Sequence, residues 1–267
     1  MGGRHQGWTQ LDDDVRDDAL LSSLDGCLQR ELGGEVAVLF SGGLDSSVLA
    51  RMAMDHCRPV LYTIGYPGAH DLHAGRNAAE ELSLPWHGLE LDDGRLRGGL
   101  AALRDLSGLT DPVSLSFELP LYLGCTMLRE GILLSGQGAD ELFGGYARYR
   151  SMDDAQRASA MEIDLGRLVS VGHPREVRLA EASGKRLVCP YLDPGVIRAA
   201  CRFSASEMVG EAGNKLPLRR LARNLGLSSA SAPKKAAQYG SGIMAAMKRL
   251  ASGDGMGLSE WVREVEG

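Results

Sequence analysis

The sequence predicts an α/β protein in which helices cover both faces of a parallel β-sheet and a helical C-terminal lobe follows. Short apolar runs alternate with stretches of helical spacing between about residue 33 and about residue 150. Each run is apolar along its whole length, which is typical of parallel strands buried on both faces. After about residue 150 no strand is predicted, and the pattern is helical.

The predicted elements follow in a regular order. Residues 1–11 lack periodicity, and a helix is predicted from near Asp12 to Gly33-Gly34, so that about 1–32 form an N-terminal extension and helix. The core, about 33–150, is predicted to hold strands 36–40, 60–64, 87–91 and 132–134 and helices 48–53, 71–82, 93–106 and 117–129. In the lobe, about 151–267, helices are predicted near 155–170, after Asp193-Pro194, and from Pro217 to Asn224. Because no low-complexity linker or repeat separates these parts, we expect residues 1–267 to form one domain.

Composition excludes several classes of protein. The net charge of −6 argues against a nucleic-acid partner, since phosphate binding needs a basic face. The five cysteines have no metal-binding spacing, which indicates single thiols in a reducing compartment. No secretory signal opens the sequence, and no apolar run approaches the roughly 18 residues of a membrane span. We therefore expect a cytoplasmic protein without a membrane partner.

The segment from Ser41 to Ser47 reads SGGLDSS and joins the first predicted strand to a helix. Its two glycines allow the backbone to approach a ligand closely. Ser46 and Ser47 bring N–H groups and hydroxyls to a helix N-terminus, where an anion is favoured. The lysine of a Walker loop is absent, so the segment predicts a phosphate site of another kind. The alternative is a Gly-Gly turn with a serine cap.

A second segment, from Leu134 to Tyr146, reads LSGQGADELFGGY and follows the strand predicted at 132–134. The first segment resembles the pyrophosphate loop of the ATP pyrophosphatases, which split ATP between the α and β phosphates. The second resembles the S-G-E-G-x-D-E-x-F-G-G-Y signature of the asparagine synthetase synthase domain. The resemblance runs, with weaker stretches, from about residue 15 to about residue 245. It implies an adenine nucleotide alpha hydrolase-like fold, with ATP as a substrate and Mg²⁺ as the metal.

Both segments follow a strand directly, so both should face one crevice at the carboxyl ends of the sheet. Asp45 and Asp140 would then offer hard oxygen ligands to Mg²⁺, which takes one or two protein carboxylates and leaves room for phosphates. A turn-forming role is the alternative for either residue. The resemblance assigns the same two positions to magnesium. It also implies that ATP is bound by Leu39, Ser41, Gly42, Gly43, Asp45, Ser46, Ser47, Ile64, Ser135 and Gly136.

The remaining site residues also come from the resemblance. Lys235 matches the lysine of the family's K-x-x-F segment with a shift of one residue, so Lys234 is an alternative, and both could instead be solvated surface lysines. Pro190 to Asp193 resembles the family's P-F-L-D, either as a ligand contact or as a turn before a helix cap. Lys215 lies in a weaker match to a G-x-G-K segment. The resemblance implies catalytic roles for Gln137, Asp140, Glu141 and Lys235, and substrate contacts for Gly138, Tyr146 and Lys215.

The sequence departs from the family in two ways. Gln137 stands where the family has a glutamate, and an amide cannot act as a base near neutral pH. Glutamine-dependent asparagine synthetases also begin with a glutaminase domain whose N-terminal cysteine is the nucleophile. Here Met1-Gly2 opens the sequence and only about 30 residues precede the first loop, so we expect no glutaminase in this chain.

These observations predict an AMP-forming ligase that adenylates a carboxylate, aspartate by default, and transfers it to an amine. The amine would be free ammonia, ammonia from a separate glutaminase or other partner, or a different amine. One alternative is an adenylating enzyme that modifies tRNA or a metabolite with a sulfur nucleophile. Another is a nucleotide-binding subunit that lacks the ligase step.

Overall fold

The computed structural model describes residues 4–231 and 240–266. Its five-stranded sheet has the order β3-β2-β1-β4-β5, and every neighbouring pair is parallel. The predicted parallel α/β fold is therefore confirmed. The strands are β1 (Glu35–Leu39), β2 (Arg58–Gly65), β3 (Trp86–Glu90), β4 (Ile132–Leu134) and β5 (Arg186–Val188).

Helices surround the sheet and form most of the C-terminal region. The α-helices are α1 (Arg4–Glu31), α2 (Leu44–Ala53), α3 (His70–Leu82), α4 (Asp93–Ser107), α5 (Pro112–Met127), α6 (Ala139–Leu142), α7 (Asp154–Arg167), α8 (His173–Ala182), α9 (Pro194–Ala200), α10 (Ala205–Met208), α11 (Leu216–Asn224), α12 (Ile243–Gly253) and α13 (Leu258–Glu264). A π-helical turn, Leu168–Gly172, joins α7 to α8, and a short hairpin pairs β6 (Val209–Gly210) with β7 (Gly213–Asn214). No helix in the described ranges is both long and apolar enough to cross a membrane.

The central strand β1 shows why its sequence is apolar without alternation. Val36 and Val38 face the cluster that contains Leu24 of α1 and Leu49 of α2. Ala37 faces the opposite cluster, which contains residues of α5 and α8. Successive side chains of a strand point to opposite faces, and all three of these are at most 1% exposed. Both faces of β1 are therefore buried.

The prediction that no strand follows residue 150 was wrong. The edge strand β5 pairs with β4, Leu134 opposite Val188. It has only three residues and begins with an arginine, so it carries too few apolar positions to show a period.

Several helices also differ from the prediction. Helix α1 begins at Arg4, because a polar stretch without periodicity can still be helical. Helix α5 begins at Pro112, with Asp111 as its N-cap accepting a hydrogen bond from the N–H of Ser114. Helix α2 begins at Leu44, four residues before the predicted start. Helices α6, α8, α10, α12 and α13 were not predicted.

Candidate active site

A cavity of about 370 Å³ opens beyond the carboxyl ends of β1, β2 and β4. The chain runs outward from β1 to β3 and then returns to the other side of β1 for β4, so β1 and β4 flank the point where the strand order reverses. Ligands of open α/β sheets bind at such a point. The predicted site residues in its wall are Leu39, Ser41, Asp45, Ser46, Ile64, Ser135, Gly136, Gln137, Gly138, Asp140, Glu141 and Tyr146.

The first loop holds the N-terminus of α2 toward this cavity. Gly42 has φ +70°, and a Cβ there would lie 2.3 Å from the carbonyl oxygen of Ala74, so only glycine fits. Ser41 Oγ accepts a hydrogen bond from the N–H of Gly43, the N-cap residue of α2. Ser47 Oγ is buried and has no hydrogen-bond partner in the described part of the chain. An unpaired hydroxyl beside free helix N–H groups suits an anion.

The two loops meet at a buried lysine. Lys215 Nζ lies 2.6 Å from Asp45 Oδ2 and 2.6 Å from Asp140 Oδ1. Its side chain is 2% exposed, whereas those of Asp45 and Asp140 are 28% and 25% exposed. Burial alone would lower the pKa of Lys215, but the two carboxylates hold it above the usual value. Lys215 is therefore a fixed positive charge between the predicted metal ligands.

The backbone conformation of Lys215 places its side chain between Asp45 and Asp140. The residue is the N-cap of α11 with φ +59° and ψ +40°, a left-handed conformation that is strained for lysine. Asn214 anchors it by donating hydrogen bonds to the carbonyl oxygens of Gly144 (2.6 Å) and Tyr146 (3.1 Å). A Cβ on Gly145 would lie 1.8 Å from Asp140 Oδ1 and 2.3 Å from Lys215 Cε. Glycine at position 145 therefore leaves the space that Lys215 needs to pair with Asp45 and Asp140.

The site suits a magnesium ion. Asp45 Oδ1 is buried and has no hydrogen-bond partner among the described residues, so it is an orphaned hard oxygen donor. Asp45 and Asp140 bring two carboxylates together at this point, one from each loop, on either side of Lys215 Nζ. Across residues 4–231 and 240–266, no three His, Cys, Asp or Glu side chains cluster as metal ligands. That fits Mg²⁺, which completes its coordination with phosphates and water.

The second loop also places Glu141 and Tyr146 in the cavity wall. The Tyr146 hydroxyl donates a hydrogen bond to Glu141 Oε1. Burial raises the pKa of Glu141, although the Tyr146 hydrogen bond opposes that shift. Gly138 has φ +91° and packs against Leu192, where a Cβ would lie 2.4 Å from Cδ2.

Three charged residues of α5 and α8 in the cavity wall were missed by sequence reasoning. Glu118 on α5 forms a buried ion pair with Arg175 on α8, and both Glu118 oxygens lie 3.0 Å from Arg175 Nε. Glu176, also on α8, accepts a hydrogen bond from Gln137 Nε2 at 2.7 Å. No motif marks these positions. The one available signal was Pro174, which stands in the first turn of α8 as prolines often do.

A larger cavity of about 940 Å³ adjoins the first and shares Asp140, Glu141, Tyr146 and Arg175 with it. Its lining includes four arginines, Arg148, Arg150, Arg167 and Arg219, and apolar side chains of Leu109, Val113, Phe117, Leu168 and Val171.

Other predicted site residues lie elsewhere. In the described chain, Gly42, Gly43, Ser47 and Lys215 lie outside the walls of the smaller cavity. Lys234 and Lys235 fall outside the described residues. The Tyr191 hydroxyl donates to the carbonyl oxygen of Asp45 at 3.0 Å, and Asp193 caps α9, so the segment that begins at Pro190 supports the loop and caps a helix.

Comparison with known proteins identifies the family. The family model described as asparagine synthase matches residues 17–160, which is more than half of the chain. Asparagine synthetase B (glutamine-hydrolyzing) of Escherichia coli is 29% identical over 231 residues, covering 76% of this chain and 41% of that protein. Asparagine synthetase (glutamine-hydrolyzing) 1 of Arabidopsis thaliana is 28% identical over 184 residues, covering 61% and 30%.

The chain thus spans less than half the length of these relatives. Among solved structures, a predicted subunit of tRNA methyltransferase from Methanocaldococcus jannaschii aligns with a TM-score of 0.35 and 17% identity, covering 76% of this chain and 94% of that chain. The residues matched by the family model, 17–160, include both loops of the site. The chain belongs to the asparagine synthase family.

Proposed function

We propose that this protein is an ATP-dependent, AMP-forming ligase that joins a carboxylate to an amine. The observation that carries the proposal is the meeting of the two loops, where Asp45, Asp140 and Lys215 form one charge cluster beside the helix N-terminus of α2. Such a cluster suits a polyphosphate with its counterion. The family, whose members are ATP-dependent ligases, supports the same reaction class.

In this proposal the base of ATP binds at the ends of β1, β2 and β4, at Leu39, Ile64 and Ser135. The pyrophosphate would bind at the N-terminus of α2, where Ser41 and Ser46 line the cavity and the unpaired Oγ of Ser47 belongs to the same helical turn. The acceptor carboxylate attacks the α-phosphorus, and the bond to the β-phosphate breaks. The amine then displaces AMP from the acyl-adenylate.

Asp45 and Asp140 would hold Mg²⁺, which neutralises phosphate charge and polarises the reacting phosphoryl group when it is bound. Lys215 holds the two carboxylates close together, since its charge offsets their repulsion. Lys235, or its neighbour Lys234, would meet the charge that develops on the α-phosphate. Aspartate is the default acceptor, and ammonia, free or delivered by a partner protein, is the default amine.

The test is product analysis by phosphorus NMR with ATP, Mg²⁺, ammonia and a panel of amino acids that begins with aspartate. We expect AMP and pyrophosphate. ADP and inorganic phosphate as the sole products would overturn the proposal. Asp45→Asn and Asp140→Asn should each abolish turnover with the fold intact, whereas Asp55→Asn, at a carboxylate that is 65% exposed, should not.

A further inference from the structure

Glu176 is a buried carboxylate with one hydrogen-bonded oxygen and one oxygen that has no hydrogen-bond partner among the described residues. The residue is 3% exposed and lies in the wall of the smaller cavity. Its Oε1 accepts the hydrogen bond from Gln137 Nε2 at 2.7 Å. Its Oε2 is buried and has no hydrogen-bond partner in the described part of the chain. Leaving such an atom unpaired is costly, so the arrangement suits a ligand group that can donate a hydrogen bond to it.

The basic groups beside Glu176 leave its Oε2 without a hydrogen bond in the described part of the chain. Arg175, its neighbour on α8, directs its guanidinium at Glu118 of α5. His173 Nδ1 lies 3.8 Å from Glu176 Oε2, which is within ion-pair distance but too far for a hydrogen bond. The thiols of Cys125 on α5 and Cys189 after β5 also face Glu176, and burial raises the pKa of both, which keeps them neutral.

We propose that Glu176 is the general base for the amide-forming step, in the role that Gln137 cannot fill. The proposal rests on the proposed function. In the family signature the carboxylate at this point of the second loop is part of the loop itself. Here the carboxylate comes from α8, 39 residues further along the chain, and the amide of Gln137 holds it in the same cavity. The cavity therefore still contains a carboxylate, which α8 supplies and Gln137 holds through a hydrogen bond.

The step balances without an added reagent. The amine nitrogen forms a bond to the carbonyl carbon of the acyl-adenylate, and the bond from that carbon to the AMP oxygen breaks. The nitrogen has one proton too many for a neutral amide, and Glu176 Oε2 accepts it. AMP leaves with the electron pair, and the proton passes from Glu176 to solvent when products leave.

The test separates the two half-reactions. Adenylation is measured as exchange of labelled pyrophosphate into ATP, with the acceptor identified in the amino-acid panel, and amide formation is measured with ammonia. Glu176→Gln should retain pyrophosphate exchange, which also shows that it folds, and should lose about 10²- to 10⁴-fold in amide formation. Glu181→Gln, at an exposed carboxylate of the same helix, should behave as wild type.

Two further measurements distinguish a base from a packing role. Hydroxylamine is largely unprotonated at neutral pH and strongly nucleophilic, so hydroxamate formation should fall much less in Glu176→Gln than amide formation. The exchanged pair Gln137→Glu/Glu176→Gln returns the carboxylate to the loop and should regain at least about tenfold of the lost amide formation.

Each adverse outcome has a different meaning. Equal loss of pyrophosphate exchange and amide formation in Glu176→Gln would overturn the proposal, because the residue would then support the whole site. Unchanged amide formation would overturn it as well. A wild-type protein that exchanges no pyrophosphate with any acceptor would instead overturn the proposed function, and the role of Glu176 would fall with it.

Discussion

At the scale of single residues, Lys215 supplies the positive charge that pairs the two carboxylates where the loops meet. A buried ammonium is costly unless it is paired, and Lys215 is paired twice, to Asp45 and to Asp140. Without it, two carboxylates would face each other across the junction of the loops. Glycine at position 145 is needed beside this ion pair, since any larger residue there would displace Asp140 and Lys215.

Replacing Lys215 by methionine should therefore both destabilise the protein and inactivate it. The variant Lys215→Met keeps the aliphatic bulk but removes the ammonium that pairs with Asp45 and Asp140. We expect the free energy of unfolding to fall by about 3–5 kcal/mol, as for other buried pairs that lose one member. Urea denaturation measures the loss, and pyrophosphate exchange measures activity. Lys248→Met, at an exposed lysine of α12, is the matched control. Equal stability of the two variants would contradict the prediction.

At the scale of elements, the N-terminus of α2 is prepared for an anion at a cost to the unliganded protein. Gly43 caps the helix without a side-chain hydrogen bond, and Ser47 Oγ is buried and unpaired in the described structure. A buried hydroxyl without a partner forfeits its hydration. The loop is thus better suited to binding than to stability.

Ser47→Ala should separate these two properties. Removal of the unpaired hydroxyl should leave the free energy of unfolding unchanged or raise it by about 1 kcal/mol, because no hydrogen bond is lost and a desolvated polar atom is removed. The KM for ATP should rise, because the hydroxyl is then missing from the phosphate site. Thermal denaturation without nucleotide and ATP-dependent kinetics measure the two effects. Ser22→Ala, at an exposed serine of α1, should change neither. A clear loss of stability in Ser47→Ala would show that the hydroxyl has a structural partner.

The sequence predicted the elements that carry motifs and missed those that only packing creates. Strands β1, β2 and β4 were predicted because their apolar runs are continuous. The first loop was predicted from its glycines and serines, and the second from its resemblance to the family signature. Glu118 and Arg175 are 57 residues apart, and Lys215 is 170 residues from Asp45, so no local pattern links either pair. Helix α5 is apolar around most of its surface, and the amphipathic period of α8 indicates a buried face but not which charges meet across it.

At the scale of the whole molecule, the N-terminal helix α1 packs against α9 and α11, the helix whose N-cap is Lys215. Arg220 of α11 binds Asp17 of α1 through two hydrogen bonds of 2.7 and 2.8 Å. The buried leucines of α1 belong to the same cluster as the apolar residues of β1 and α2. The N-terminal segment is therefore part of the main core.

If α1 is a core element, a cavity in it should weaken the entire fold. Leu24 is fully buried, and Leu24→Ala should lower the free energy of unfolding by about 2–5 kcal/mol, the usual cost of removing three carbons from a packed core. Val15→Ala, on the same helix at a side chain that is 63% exposed, should cost less than about 0.5 kcal/mol. Both are measured by urea denaturation, followed by tryptophan fluorescence and by circular dichroism. A single transition that shifts equally with both probes is expected, since α1 and the sheet share one cluster. An early, separate loss of helical signal in Leu24→Ala, with the fluorescence transition unmoved, would instead make α1 an appended helix that the catalytic core does not need.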